Sequence, residues 1–177
     1  MPTTTVTLTF VSQPGNESGA WSGSPSLAAA LAVIGSTEAL AAGGAGAEAT
    51  LNLQLQASLP ADATNIRVYF IAWCRVPVLY AVVSLTLGCL GVSLGAVNQS
   101  RTDQQPVYFG TSGANTFALT RADIVAGVPV TFIANDVVDF SLELYLDGIQ
   151  AIIDYDVGGA TPSTATSRLS LAASLGL

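Results

Sequence analysis

The sequence predicts an all-β chain, a jelly-roll-like β-sandwich of about eight or nine strands with at most one short helix and an extended N-terminal arm. Three observations carry that expectation. Two stretches alternate strictly: Val6, Leu8 and Phe10 against Thr5, Thr7 and Thr9, and Leu51, Leu53 and Leu55 against Asn52, Gln54 and Gln56. A period of two is that of a strand with one buried and one wet face. Turn-forming residues recur about every 8 to 12 residues, the rhythm of a sandwich. Finally, residues 116–155 read as a strand, a turn-like insert and three further strands, and they are expected to form the inner strands against which the rest packs.

Taken in order, residues 3–12 form the first strand. Residues 13–26, QPGNESGAWSGSPS, are a loop by their Gly, Pro, Ser and Asn content. Trp21 is exposed there by default, as an interface anchor or packed back on its own domain. Residues 26–49 are rich in Ala and Gly. Ala and Leu favour helix and Ser26 offers a cap, but Gly35-Ser36 and the glycines at 43, 44 and 46 interrupt any long helix. A short helix, an extended arm lying along a partner, and a linker all fit this stretch. Residues 50–57 are a second half-buried strand, ended by the turn at 59–64.

Residues 66–75, IRVYFIAWCR, are apolar on both faces, as a central strand buried from two sides is. Residues 76–97 carry no charge and are long enough to span a bilayer. Val, Ser, Thr and Gly dominate them, no Lys flanks them, and Gly88 and Gly91 fall where two strands would turn. They are read as two buried strands, 78–87 and 90–96. Residues 98–106 are the most polar loop, and 107–110 a short edge strand. Within 116–155 the strands are 116–119, 129–134, 140–146 and 150–156, with a turn at 121–127. Asp147-Gly148 is a two-residue hairpin signal. Residues 1–157 thus form one domain, and 158–177 a tail, flexible or docked on a partner.

Composition narrows the function. The 177 residues are half apolar and only 10% charged, with net charge -7 and no His. Ordinary soluble domains are about 25% charged. The five basic residues are Arg67, Arg75, Arg101, Arg121 and Arg168. Nucleic acid is not an expected partner, because phosphate binding needs a basic face. Anionic membrane surfaces are disfavoured for the same reason. A charge-poor surface is expected to be covered by other subunits. Residues 1–10 have neither a basic start nor a long apolar run, so no signal peptide is expected.

Chemistry is thinly supplied. Without His there is no Ser-His-Asp constellation, and two cysteines make no zinc site. Cys74 and Cys89 flank a plausible hairpin, so buried thiols and a cross-strand disulfide both fit. The late acids Asp136, Asp139, Glu143, Asp147, Asp154 and Asp156 lack the spacing of a calcium loop. No catalytic residue, metal or cofactor is expected. Trp21, Tyr108 and Phe109 are the aromatics considered for stacking on sugar.

Four segments in order, LPADATNI at 59–66, VYFG at 107–110, FALTRADI at 117–124 and LDGI at 146–149 running on to Tyr155, resemble the jelly-roll-like module of tailed-phage structural proteins. The resemblance covers about residues 60–155. It departs in one place: Thr116-Phe117-Ala118 stands where the family has an aromatic before Gly. It implies a virion component made in the host cytoplasm, such as a capsid decoration (cement) subunit or a tail or fibre protein, and it carries over no catalytic residue. The leading expectation is therefore a non-enzymatic decoration subunit binding a major capsid protein as a homotrimer. Its contacts would be Trp21, Leu27, Leu31 and Ile34 of the loop and arm, Tyr108 and Phe109 of the edge strand, and Leu169, Leu171 and Leu175 of the tail. The alternative is a carbohydrate- or receptor-binding module of a tail or fibre.

Overall fold

The computed structural model describes residues 3–10, 17–19, 21, 30–31, 34–35, 38–77, 82–100, 102–111, 113–137 and 141–158. Leu27, Asp139, Leu169, Leu171, Leu175 and nearly all of the expected tail lie outside them. The described residues form a β-sandwich of two antiparallel sheets with one short helix. The strands are β1 (Thr3–Thr9), β2 (Glu17–Gly19), β3 (Ala39–Gly44), β4 (Glu48–Leu55), β5 (Ala63–Arg75), β6 (Val83–Cys89), β7 (Val92–Gln99), β8 (Gln105–Phe109), β9 (Val128–Asp136) and β10 (Ser141–Val157). The helix, α1, is Arg121–Ala126. The first sheet runs β1-β10-β5-β8, with β3 also on β10, and the second runs β2-β4-β9-β6-β7.

The alternation explains the two layers. On β4, Ala49, Leu51, Leu53 and Leu55 are buried, and on β9 Val128, Val130, Phe132 and Ala134. On β5 the inward set is Val68, Phe70, Ala72 and Cys74, all fully buried. Aromatic edges tie the two sheets, and the turn at Phe117, together. Phe109 of β8 meets Phe132 of β9 at 6.2 Å and 89°, and Phe70 meets Phe117 at 5.1 Å and 85°. Such edge-to-face pairs add about 0.5–1.5 kcal/mol beyond the area they bury.

Several expectations are corrected. Residues 39–44 are not an arm reaching for a partner. They are β3, paired with β10 from Ala39↔Leu146 to Gly44↔Ser141. Small side chains suit a strand laid against a sheet edge, and Ala39 and Ala41 are fully buried. Trp21, Leu31 and Phe109 are buried in the chain's own core rather than offered to another subunit. Half the chain is apolar, and a sandwich needs such residues to fill the space between its sheets. Residues 116–119 form no strand. Phe117 and Leu119 are buried from a turn, in which Asn115 accepts from the Leu119 N–H at 3.0 Å and donates to the Leu119 carbonyl at 2.9 Å.

The Asp147-Gly148 pair makes no hairpin either, because β10 runs straight through it. A two-residue hairpin of that type needs positive φ at both central residues, and Asp147 lacks it. Instead β10 bulges: Leu146 faces Cys74 and Gly148 faces Trp73, so two steps on β10 match one on β5. The Asp147 carboxylate is buried and accepts the Gly35 N–H at 2.6 Å. The hairpin expected near Gly88 and Gly91 does form, with its turn at Leu90-Gly91. Both residues have positive φ, 46° and 77°.

The turn at 121–127 is helical. Thr120 and Asp123 form a reciprocal capping box, and Arg121 donates to the carbonyls of Pro60 (2.6 Å) and Leu59 (2.9 Å). Cys74 and Cys89 are buried thiols on different sheets, with no disulfide between them. No helix among the described residues is long and apolar enough to cross a membrane.

Candidate functional site

Because β5 alternates, Arg67, Tyr69, Ile71, Trp73 and Arg75 point away from the core. The strand is apolar on both faces, but only one of them is the core. The pairing fixes what stands beside each residue. Arg67 is opposite Asp154. Tyr69 is opposite Ile152, which is opposite Thr7. Ile71 lies between Gln150 and Tyr108, and Trp73 between Gly148 and Pro106. Tyr69, Tyr108 and Trp73 thus zigzag over two strands, each a diagonal step of about 7–8 Å from the next. Tyr108 is 56% exposed, while Tyr69 and Trp73 are half-buried. Ile71 and Ile152 form an apolar floor, buried although they face outward.

Polar groups border this stripe. The Trp73 indole N–H donates to Gln150 Oε1 at 3.4 Å. Thr5 donates to Asp154 at 2.6 Å. Asp156 accepts from Thr3 (3.0 Å) and Asn65 (2.9 Å) and lies 3.6 Å from Arg67. These donors hold its carboxyl below the ordinary aspartate range, the hydrogen bonds from Asn65 and Thr3 before the charge of Arg67. At the other end Glu38 takes Arg75 in a two-pronged pair, 2.7 and 2.6 Å, while the guanidinium lies 4.1 Å over the Tyr145 ring. Burial, then the nearby Asp154 and Tyr108, raise the Tyr69 phenol, so it stays a neutral donor at physiological pH.

Between Tyr69 and Tyr108 lies an open depression of about 330 Å³, also lined by Gly110 and Thr111. Gly110 keeps it open. Its φ is 84°, and a Cβ there would sit 3.3 Å from the Tyr69 Cβ. Among the described residues there is no cluster of side chains able to hold a metal ion.

Of the expected contact residues that are described, Tyr108 belongs to the stripe. Ile34 lies half-buried over Gly148, and Trp21, Leu31 and Phe109 are core. The reading of the sequence missed Tyr69, Trp73 and Gln150. The signal was present as the alternate series Arg-Tyr-Ile-Trp-Arg along β5, in which every second residue has a polar end or borders one that does.

No family model matches the chain, and no curated protein sequence matches it. Solved structures do. The carbohydrate-binding module TmCBM61, in complex with β-1,4-galactotriose, aligns with a TM-score of 0.42 at 11% identity, over 85% of this chain and 87% of that one. A family two carbohydrate esterase from Cellvibrio japonicus aligns at 0.40 and 8%, over 91% of this chain but 37% of the esterase. The infectious bursal disease virus Gt strain structure aligns at 0.28 and 8%, over 69% of this chain and 38% of the viral one. At these values the likeness concerns the β-sandwich alone.

Proposed function

We propose that the chain is a glycan-binding module and that the outer face of the first sheet is its binding surface. One observation carries this reading: Tyr69, Tyr108 and Trp73 form a continuous aromatic stripe outside the core, with a depression beside it. Aromatic rings offer broad, rigid apolar faces with a polar edge, suited to the C–H faces and hydroxyls of a sugar. Such residues, set at the centre of a surface and rimmed by polar groups, are where binding energy concentrates. Gln150, Asp154 and Thr7 border the stripe on the neighbouring strands and carry groups of the kind that bond sugar hydroxyls. Binding without turnover is the activity inferred.

The test is a glycan array, followed by calorimetry on the hits with Tyr108→Ala and Trp73→Ala. Each substitution is expected to weaken binding by about 1–2 kcal/mol, roughly 5- to 30-fold, while leaving the far-ultraviolet circular dichroism unchanged. Retention of full affinity by both variants would place any glycan site elsewhere.

A second reading, a subunit of a larger assembly such as a homotrimer on a virion shell, is favoured by the low charge of the chain. Three of its expected anchors are core residues, which leaves Tyr108 and the half-buried Ile34 as its described contacts. Native mass with and without residues 159–177 tests it. A discrete trimer supports assembly, and a monomer in both forms ends it.

A further inference from the structure

We infer that the glycan taken by this face is an uncharged chain, and that uronate, sulfated and sialylated glycans are excluded by the electrostatics of the same strands. The inference rests on the glycan reading above and adds the chemical class of the ligand.

The argument begins with the charges beside the stripe. Glu143, Asp154 and Asp156 of β10, together with Glu38, supply four carboxylates on this face, against two guanidinium groups, Arg67 and Arg75. The formal balance is 2 − 4 = −2. Each cation already has a carboxylate partner. Arg75 has both prongs on Glu38 and its face on Tyr145, and Arg67 stands at Asp156. Charge-assisted forks of the Arg75 kind are the strong ones, so an anionic ligand would have to displace a fixed carboxylate to gain a guanidinium.

Asp154 lies one diagonal step from Tyr69, about 7–8 Å away, and its charge acts on the Tyr69 phenol. A carboxylate on a ring stacked at Tyr69 would meet the same field. The remaining polar groups of the face, Gln150, Thr7 and the phenols, suit hydroxyls. The whole chain adds the same sign, with net charge -7, no Lys and no His.

The experiment titrates the intact protein with matched hexasaccharides that differ only at C6: cellohexaose against β-1,4-glucuronan hexasaccharide, and mannohexaose against β-1,4-mannuronan hexasaccharide. The neutral member of a pair is expected to bind, with its acidic counterpart at least about tenfold weaker at low salt. Raising the salt should narrow that gap, because like-charge repulsion at this range is screened. Asp154→Asn, which keeps an oxygen to accept from Thr5, should narrow it too. Equal or tighter binding of the acidic member would overturn this inference and leave the glycan reading standing. Failure of all four sugars, and of a wider panel of neutral glycans, would overturn both.

Discussion

Replacing Gly148 by Ala tests the account of β10 at its sharpest point. Gly148 has a φ of +155°, and an added Cβ would lie 2.7 Å from Ile34 Cγ1 and 3.1 Å from the Ala30 carbonyl oxygen. The first contact is shorter than real Cβ atoms tolerate, and the second meets backbone that is held in place. Backbone strain contributes about 1–3 kcal/mol, and overpacking against Ile34 and Ala30 about 1–3 kcal/mol more. The sum, about 2–6 kcal/mol, lowers the melting temperature by roughly 4–24 °C for a chain of this size. Thermal and urea unfolding read it directly. Ile34→Ala removes the side-chain clash but not the strain. The double variant should therefore be more stable than the sum of the two single losses, by a coupling of about 1–3 kcal/mol. An unchanged midpoint for Gly148→Ala, or strictly additive losses, would refute the close packing of Ala30 and Ile34 on the bulge.

Two further outcomes follow from the ionisable groups. Asp123, through its hydrogen bonds with Thr120, and Asp156, through Asn65, Thr3 and Arg67, are held below the ordinary aspartate value of 3.8 in the folded chain. A carboxyl lowered by folding stabilises above its unfolded value, and that contribution is lost as pH falls through the lowered one. Melting temperatures measured from pH 5 to pH 2.5 should fall more steeply for the native protein than for Asp123→Asn/Asp156→Asn, and parallel curves would contradict the hydrogen-bond assignments. Burial, with a smaller effect of Asp123, pushes the Cys89 thiol up to about 11, and Cys74 is wholly buried. Neither thiol should react with a thiol reagent at pH 8 until denaturant is added, and rapid labelling of the folded chain would show that these strands open.

The sandwich was legible because the clearest signal in the chain is local. Val6-Leu8-Phe10 and Leu51-Leu53-Leu55 announce one buried face each, and the structure buries Leu8, Phe10 and all three leucines of β4. The failures share a different physical origin. Asp147-Gly148 carries turn chemistry, but a turn competes with a bulge that needs only one permissive residue. The outcome is set by Ala30, Ile34 and Gly35, more than 100 residues away in sequence. The small residues of β3 have no strand propensity to read, and pairing with β10 makes them a strand. On β5 the reading stopped at hydrophobicity. Tyr69 and Trp73 are as apolar as Phe70 by composition, and only the pairing shows that they face outward beside Gln150 and Tyr108. Trp21 reversed the error: polar neighbours in sequence suggested exposure, yet it is fully buried.

The central claim, that a glycan sits on Tyr69, Tyr108 and Trp73, is tested most directly by the chain's two tryptophans. Trp21 is fully buried and Trp73 is half-exposed on the proposed face. Acrylamide quenching should reach Trp73 alone, and a saturating neutral glycan should protect it, leaving the signal as unquenchable as that of Trp73→Phe. A glycan that binds with full affinity yet leaves Trp73 as open to acrylamide as before would contradict the account.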